Sequence, residues 1–285
     1  MLLTTIEQLR EKVKEYKSQG LTVGLVPTMG ALHDGHLSLI KKSVETCQKT
    51  VVSVFVNPIQ FCAGEDLDQY PRTLEKDTLL CEQNGVDIVF APTPTEMYGS
   101  QIQLNSNYLT NVVPPYFYVD KLCGKSRVGH FDGVCTVVTK LFNIVQPDYA
   151  FFGQKDAQQL IIIQKMVKDL NIPVEIVPCP IVREESGIAL SSRNNYLNDE
   201  QKKDILVLSQ ILNNINNLYK KGIVDIDALK ETAFSFLKPV HELEYLEFVD
   251  KNTLDEKELA DADTIVLIAL KTHGVRFIDN CILGN

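Results

Sequence analysis

Two histidines stand three positions apart where an apolar segment gives way to a glycine-bearing turn. His33 and His36 lie in residues 27–36, which follow the apolar residues 21–26. This order predicts a strand, a turn and the start of a helix. The amino terminus of a helix exposes unpaired N–H groups and the positive end of the helix dipole, and two imidazoles one turn apart add donors there. The segment therefore predicts a phosphate site.

Two other interpretations of these histidines stay open at this point. Both side chains could be ordinary polar residues of a strand-to-helix loop. They could also bind zinc, but a zinc site needs at least a third ligand. The other histidines are His130, His241 and His273, and no cysteine pair stands at ligand spacing. We therefore predict no metal site built from protein side chains alone.

The second phosphate-binding candidate lies more than a hundred residues further along the chain. Ser191, Ser192 and Arg193 follow Leu190 and offer two hydroxyl donors and a guanidinium fork, which suit phosphate oxygens. The alternative is a surface turn. Lys155 adds a cation after another predicted strand, although it could be an exposed lysine at a helix start. Its neighbour Asp156 could bind a ribose hydroxyl or simply favour a helix amino terminus.

The elements that must position these groups alternate between strand and helix. Apolar strands are predicted at residues 21–26, 50–56, 86–90, 149–152 and 174–177, with helices between them. This alternation is typical of a parallel α/β sheet, in which ligands bind beyond the carboxyl ends of the strands. Three loops leave such strand ends and should converge on one edge of the sheet. They are residues 27–36, 57–61 and 153–159.

The pattern changes after about residue 183. Two amphipathic helices are predicted at residues 199–221 and 225–237. Three short strands are predicted after them, at residues 243–249, 264–270 and 275–278. We therefore expect a sheet domain over residues 1–182 and a smaller α+β domain over residues 183–285.

Composition narrows the class of protein. The 285 residues are 45% hydrophobic and 23% charged, which is ordinary for a globular chain. The net charge of −9 argues against broad nucleic-acid binding, because that needs a basic surface. The seven cysteines are odd in number and form no C-x-x-C pair, which is typical of reduced thiols. The sequence shows no secretion signal and no membrane-spanning segment, so we expect a soluble, cytoplasmic protein.

Long stretches of the chain resemble the pantoate–β-alanine ligases. The resemblance rests on residues 26–36, 55–61, 65–73, 129–160 and 180–197. Residues 33–36 are similar to the H-x-G-H signature of the wider nucleotidyltransferase superfamily. Ser191, Ser192 and Arg193 stand where the pantoate–β-alanine ligases carry their counterpart of the superfamily's K-M-S-K-S loop. The fold implied is a Rossmann-like parallel sheet followed by the smaller α+β domain.

The resemblance implies an ATP-dependent ligation in two steps, within pantothenate and coenzyme A biosynthesis. The pantoate carboxylate attacks the α-phosphorus of ATP, and the β-alanine amine then displaces AMP from pantoyl adenylate. His36 matches the position that the family assigns as proton donor, and the implied catalytic set is His33, His36, Lys155 and Arg193. The ATP positions implied are Met29, Gly30, Ala31, Leu32, His33, Asp34, Gly35, His36, Gly153, Gln154, Lys155, Asp156, Val182, Leu190, Ser191, Ser192 and Arg193.

The family's substrate positions fall on two glutamines. Gln60 and Gln159 map to pantoate contacts, and Gln60 also maps to a β-alanine contact. From their position alone, Gln60 could be a polar cap of a strand-end loop and Gln159 a helix surface residue. Arg127 and His130 are further candidates for substrate or phosphate contact, outside the catalytic set. The resemblance also implies Mg²⁺ bound with ATP and a homodimer.

Three short segments depart from the family's usual pattern. Cys62, Ala63 and Gly64 replace a glycine–proline–asparagine turn. Val128 replaces a proline, and residues 185–186 replace an alanine–aspartate pair. None of these changes removes a group assigned to the chemistry.

Two rival functions remain. Another adenylyltransferase of the same superfamily would share both phosphate clusters but would not need the paired glutamines. A non-catalytic nucleotide-binding regulator would not need four polar or charged side chains placed for the departure of pyrophosphate. A tRNA-charging enzyme is disfavoured by the chain length and the acidic charge.

Overall fold

The computed structural model describes residues 1–100 and 109–284. The chain divides into two compact units. The first contains Met1–Gln154 and Ile162–Cys179, and the second contains Lys155–Ile161 and Pro180–Asn285. Each unit has its own sheet.

The sheet of the first unit has six strands among the described residues, and every pairing in it is parallel. The strands are β1 (Leu2–Leu3), β2 (Val23–Thr28), β3 (Lys49–Val54), β4 (Ile88–Phe90), β5 (Tyr149–Gly153) and β6 (Glu175–Cys179). Their order across the sheet is β1-β4-β3-β2-β5-β6. The carboxyl ends of β2, β3 and β5 therefore lie next to one another at one edge.

Helices connect these strands along the chain. Before β5 they are α1 (Ile6–Ser18), α2 (Asp34–Thr46), α3 (Leu74–Gln83), α4 (Pro94–Tyr98), α5 (Tyr116–Val119), α6 (Leu122–Ser126) and α7 (His130–Val145). After β5 comes α8 (Ala157–Asp169), whose first residues belong to the second unit. Helices on both faces explain why the central strands are almost entirely apolar.

The core of the first unit lies between the central strands and the helices. Val26, Val52 and Phe151 come from three neighbouring strands, and none of them is exposed to solvent. Ile40 of α2 is equally buried against this side of the sheet. Burying such side chains fully contributes about 1.5–3 kcal/mol each, which fixes the sheet on which the loops are mounted.

The second unit contains a three-stranded antiparallel sheet and two helices. Its helices are α9 (Asp199–Lys220) and α10 (Ile226–Phe234), and its strands are β7 (Glu242–Asp250), β8 (Thr264–Thr272) and β9 (Val275–Ile282). The strand order is β7-β8-β9. The inner face of β8 is buried with the apolar stripe of α9, including Ile211 and Ile215.

The predicted fold class is confirmed: a mixed α/β chain with a parallel sheet, followed by a smaller antiparallel sheet. Several element boundaries differ by a few residues. The first predicted strand begins two residues later than expected, at Val23 instead of residue 21. The strand Leu2–Leu3 was not predicted, because two residues carry no readable alternation. The domain boundary after residue 182 stays a prediction.

None of the helices in the described ranges is both long enough and apolar enough to cross a membrane.

Candidate active site

The two histidines of the first cluster cap helix α2. His33 is the N-cap residue, with extended backbone, and its Nδ1 accepts a hydrogen bond from the Gly35 N–H at 3.1 Å. His36 reaches back, and its Nδ1 lies 3.4 Å from the His33 backbone nitrogen. This reciprocal arrangement is the one usually made by serine or threonine with glutamate. Because each Nδ1 faces a backbone donor, the proton of each neutral ring lies on Nε2.

The rings of these histidines lie close together at the helix amino terminus. Their centroids are 4.1 Å apart and their planes are inclined by 43°. Both side chains are half-buried. The positive end of the helix dipole and the two Nε2–H groups therefore lie together at the amino terminus of α2. That combination suits a group carrying negative charge.

The turn between β2 and α2 has an unusual backbone, and a buried carboxylate holds it. Gly30 and Ala31 both have positive φ, +83° and +50°, which is uncommon for alanine. Asp77 of α3 is only 1% exposed. Its two carboxylate oxygens accept hydrogen bonds from the backbone N–H groups of Ala31 at 3.0 Å and Leu32 at 2.8 Å. The Thr73 hydroxyl donates to Asp77 at 3.1 Å.

Gln60 lies in a short 3₁₀ turn, Pro58–Gln60, after β3. Its Oε1 accepts from Asn57 Nδ2 at 2.9 Å, and Asn57 Oδ1 in turn accepts from the Tyr98 hydroxyl at 2.6 Å. Burial raises the pKa of Tyr98, which keeps this hydroxyl a neutral donor. The Gln60 Nε2 donates to Met29 Sδ at 3.2 Å. The loops after β2 and β3 therefore meet, as their strand positions predict.

Residues 153–156 form the end of β5 and the turn that follows it. Gly153 ends the strand, and Gln154–Asp156 form a 3₁₀ turn that leads into α8. Within the second unit, the Lys155 carbonyl accepts a hydrogen bond from Asn280 Nδ2 of β9 at 2.9 Å. Asn280 is 4% exposed, so this bond fixes the main chain that carries the lysine. Gln159 is half-buried on α8.

The second cluster begins where a short hairpin ends. The Leu190 N–H donates to the Val182 carbonyl at 3.0 Å, so these two predicted nucleotide contacts are neighbours in the second unit. Ser191 then caps the 3₁₀ helix Ser192–Tyr196, and its Oγ accepts from the Arg193 N–H at 3.3 Å. The Arg193 side chain is half-buried.

The hairpin is anchored by a bidentate ion pair. Arg183 donates to both carboxylate oxygens of Asp279, at 2.6 and 2.9 Å. The Asp279 side chain is 2% exposed, and Arg183 also donates to the Gly187 carbonyl at 3.1 Å. The second unit thus holds residues 182–193 and the Lys155 backbone on the same small sheet through Asp279 and Asn280.

The predicted site residues are thus distributed over the two units. The first unit brings together Met29, the histidine cap of α2 and Gln60, and also contains Gly153 and Gln154. The second unit contains Lys155, Asp156, Gln159, Val182 and residues 190–193. The roles assigned to these residues stay predictions.

A metal site built from protein side chains is not found among the described residues. Across residues 1–100 and 109–284, no group of three or more His, Cys, Asp or Glu side chains is arranged to hold a metal ion. These side chains therefore do not form a cage for Mg²⁺.

Comparison with known proteins decides the family. The family model for pantoate-beta-alanine ligase matches residues 1–282. The chain belongs to the pantoate-beta-alanine ligase family. The resemblance inferred from the sequence is therefore confirmed.

Relatives match over nearly their whole length. The chain is 47% identical over 280 residues to the pantothenate synthetase of Caldicellulosiruptor saccharolyticus, covering 98% of this chain and 97% of the relative. It is 48% identical over 282 residues to that of Ruminiclostridium cellulolyticum, with the same coverage.

Solved structures of pantothenate synthetases have the same fold. One from Thermus thermophilus matches with a TM-score of 0.91 and 40% identity, over 99% of this chain and 98% of that chain. Another is the pantoate-beta-alanine ligase from Francisella tularensis complexed with Beta-gamma ATP and Beta-alanine. It matches with a TM-score of 0.80 and 32% identity, over 99% of this chain and 97% of that chain.

Sequence reasoning about this family member missed three residues that shape the site. Asp77 lies 45 positions from Leu32, and nothing near it in the sequence points to the turn it holds. Asn57, three positions from Gln60, donates a hydrogen bond directly to the Gln60 side chain. Tyr98, 38 positions from Gln60, supports that side chain indirectly, by donating a hydrogen bond to Asn57. A polar residue directly after an apolar strand was the one available signal for Asn57.

Proposed function

We propose that this chain joins pantoate to β-alanine at the expense of ATP, through pantoyl adenylate, with release of AMP and pyrophosphate. The observation that carries this proposal is the family match over residues 1–282. The Francisella tularensis relative complexed with Beta-gamma ATP and Beta-alanine supports the same two substrates. The reaction makes the chain an AMP-forming acid–amino-acid ligase of pantothenate biosynthesis.

In the first step, a pantoate carboxylate oxygen attacks the α-phosphorus of ATP. A bond forms between that oxygen and phosphorus, and the bond to the bridging oxygen of pyrophosphate breaks. Negative charge therefore grows on the leaving group, and stabilising it is the main task of the protein. The amino terminus of α2 and the Nε2–H groups of His33 and His36 suit this task. Both histidines act mainly by stabilising this charge, and His36 matches the position that the family assigns as proton donor.

Cationic and hydroxyl side chains provide further phosphate contacts in this proposal. Lys155 and Arg193 neutralise phosphate oxygens, while Ser191 and Ser192 donate hydrogen bonds to them. Leu190, Val182 and residues 153–156 border the nucleotide. The loop from Met29 to Gly35 also contacts ATP in this proposal.

Gln60 and Gln159 bind pantoate in this proposal. The Gln60 amide has one protein partner on Oε1, Asn57, and one on Nε2, Met29, and because each end has a second lone pair or N–H, it can both accept from and donate to pantoate. In the second step, the β-alanine amine attacks the acyl carbon of the adenylate. The carbon–oxygen bond to AMP breaks, the amine loses a proton, and pantothenate forms. Gln60 also contacts β-alanine.

Three further properties belong to this proposal. Mg²⁺ accompanies ATP and is held mainly by phosphate oxygens and water, as is usual for this ion. The protein works as a homodimer in the cytoplasm. The sheet domain spans residues 1–182 and the smaller domain residues 183–285. Sedimentation equilibrium tests the dimer, because a single species of 32.0 kDa would contradict it.

A substrate-omission assay tests the function directly. Protein, ATP, Mg²⁺, pantoate and β-alanine are mixed, each is omitted in turn, and AMP and pyrophosphate are measured. We expect AMP and pantothenate in equal amounts only from the complete mixture. Pyrophosphate formation that is unchanged without pantoate would refute the proposal and favour another adenylyltransferase. No turnover of ATP under any condition would favour a nucleotide-binding regulator.

A further inference from the structure

A chain of polar side chains lies beside Gln60 and has no role in the reaction described above. It consists of Glu65, in the loop after β3, and of Arg127 and His130, at the start of α7. We call these three residues the Arg127 relay. The relay ends on the main-chain carbonyl of Gln60.

The contacts of the relay are short and directional. Arg127 Nε donates to Glu65 Oε1 at 2.6 Å, and Arg127 Nη2 donates to Glu65 Oε2 at 2.8 Å. The remaining guanidinium nitrogen, Nη1, lies 2.8 Å from His130 Nε2. His130 Nδ1 lies 2.8 Å from the Gln60 carbonyl oxygen. The Arg127 and Glu65 side chains are 17% and 22% exposed, and His130 is buried.

The chemistry of the partners fixes the state of His130. A guanidinium can only donate, so His130 Nε2 must accept from Arg127. The ring is then neutral, with its proton on Nδ1, and this N–H donates to the carbonyl of Gln60. Glu65 holds Arg127, Arg127 orients the ring, and the ring holds the backbone of Gln60.

The loop that carries Glu65 has one internal hydrogen bond and one further contact with the segment before α7. The Cys62 N–H donates to Glu65 Oε2 at 3.0 Å, and Cys62 Sγ donates to the Val128 carbonyl at 3.4 Å. Close packing adds to these bonds, because a Cβ on Gly133 would lie 2.4 Å from the Ile59 carbonyl oxygen. Ile59 and Gln60 are therefore packed closely against α7 at Gly133.

We propose that Glu65, Arg127 and His130 are positioning residues that set the orientation from which the Gln60 amide binds pantoate. This inference rests on the proposed function. The Gln60 side chain is anchored at one end by Asn57 and at the other by the backbone that His130 holds. Displacing that backbone moves Nε2 away from the substrate, and a misplacement of about 1 Å in a site of this kind can cost up to about 100-fold in rate.

Two variants of the relay provide the test, with a third that restores one contact. His130→Leu removes the donor to Gln60, and Arg127→Met removes the group that orients the ring. His130→Asn keeps a donor, since an asparagine Nδ2 can occupy the place of the imidazole Nδ1. Losing one buried hydrogen bond of about 1 kcal/mol corresponds to about a fivefold change, so we expect the KM for pantoate to rise about five- to tenfold in the first two variants.

The pattern across substrates separates positioning from general damage. We expect the KM for ATP to stay within about twofold of the parent value. His130→Asn should recover most of the affinity for pantoate. The matched control is Lys49→Met, which breaks the 2.6 Å ion pair with Asp87 at the opposite end of β3. The Lys49 and Asp87 side chains are 29% and 22% exposed, which is similar to the exposure of Arg127 and Glu65. Lys49→Met should leave every KM unchanged.

Hydrogen–deuterium exchange gives a readout that does not depend on activity. Exchange in the peptide covering residues 57–66 should rise in Arg127→Met and stay unchanged in Lys49→Met. If it does not rise, the relay does not hold Gln60 and the inference is wrong. An equal rise in the KM for ATP and pantoate, with no recovery in His130→Asn, would also overturn it.

Failure of the proposed function is recognised separately. If the parent protein forms no pyrophosphate with ATP and pantoate, the function is wrong, whereas the exchange result still tests whether the relay holds Gln60. If the parent is active and Gln60→Ala raises the KM for pantoate while the relay variants do not, the function stands and the inference falls.

Discussion

Replacing Asp77 with asparagine tests whether the turn before α2 must be held in place to bind ATP. The Asp77 carboxylate, 1% exposed, accepts hydrogen bonds from the Ala31 and Leu32 N–H groups and from the Thr73 hydroxyl. Asp77→Asn keeps the shape but exchanges one acceptor oxygen for a donor. At least one backbone N–H of the turn then faces another donor.

The size of the effect follows from these contacts. A hydrogen bond to a buried charged group contributes about 1.5–3 kcal/mol, and the variant loses at least one of them. The turn also contains Ala31 at φ +50°, and a left-handed conformation costs about 1–2 kcal/mol for a residue with a Cβ. A loss of about 2–3 kcal/mol in holding the turn lowers kcat/KM for ATP by about 30- to 160-fold.

Asp148→Asn is the matched control for this measurement. Asp148 also binds a backbone N–H of β2, that of Val23 at 2.7 Å, but at the opposite end of the strand. Initial rates at varied ATP concentration, with pantoate saturating, are compared for the parent and both variants. We expect the large fall in Asp77→Asn alone. If both variants keep the parent kcat/KM, or if both lose it equally, the turn is not positioned by Asp77 and the reasoning fails.

Three further changes have defined outcomes. His36→Ala should lower the rate of pyrophosphate formation by at least about 100-fold, which is the effect of losing an acid or a charge-stabilising group. The midpoint of thermal unfolding should stay close to that of the parent. A fall in rate of less than about tenfold would remove His36 from the catalytic set. Gly133→Ala should raise the KM for pantoate more than the KM for ATP, because its Cβ would lie 2.4 Å from the Ile59 carbonyl oxygen; equal kinetics would show that the turn before Gln60 can move freely. Burial alone would raise the pKa of Glu65, but the Arg127 hydrogen bonds and charge lower it below the ordinary value of 4.5. The contribution of Glu65 to stability is therefore present above about pH 4.5 and is lost as the pH falls through the lowered value. The free energies of unfolding in urea of the parent and Glu65→Gln should differ at pH 7 and converge in acid, and a difference that stays constant with pH would contradict this expectation.

Much of the architecture could be predicted from the sequence because the strands are buried on both faces. Apolar runs such as residues 50–56 are continuous, which is what a parallel sheet covered by helices requires. The histidine segment could also be placed, since a strand end followed by a glycine-bearing turn leaves few alternatives. The strand Leu2–Leu3 could not, because its pairing with β4 depends on residues more than 80 positions away.

The residues that hold the candidate site in place were harder to predict from the sequence than the candidate chemical groups. Glu65 and Arg127 are 62 positions apart, and each alone resembles an ordinary exposed charge. Asp77 lies in the first turn of α3, where an acidic residue is expected for reasons of the helix dipole alone. Only the packing of α3 against the turn before α2 gives this carboxylate its second function. Local patterns point to candidate chemical groups, whereas the groups that hold them in place depend on contacts between distant segments.

Formation of pantoyl adenylate in a first step, before the β-alanine amine reacts with it, is the central claim, and a single-turnover measurement tests it most directly. ATP labelled at the α-phosphorus is mixed with excess protein, Mg²⁺ and pantoate, without β-alanine, and the reaction is quenched with acid at millisecond intervals. We predict labelled pantoyl adenylate and pyrophosphate in equal amounts, followed by release of labelled AMP when β-alanine is added. Label appearing in ADP, or pyrophosphate that forms only after β-alanine is present, would contradict the account.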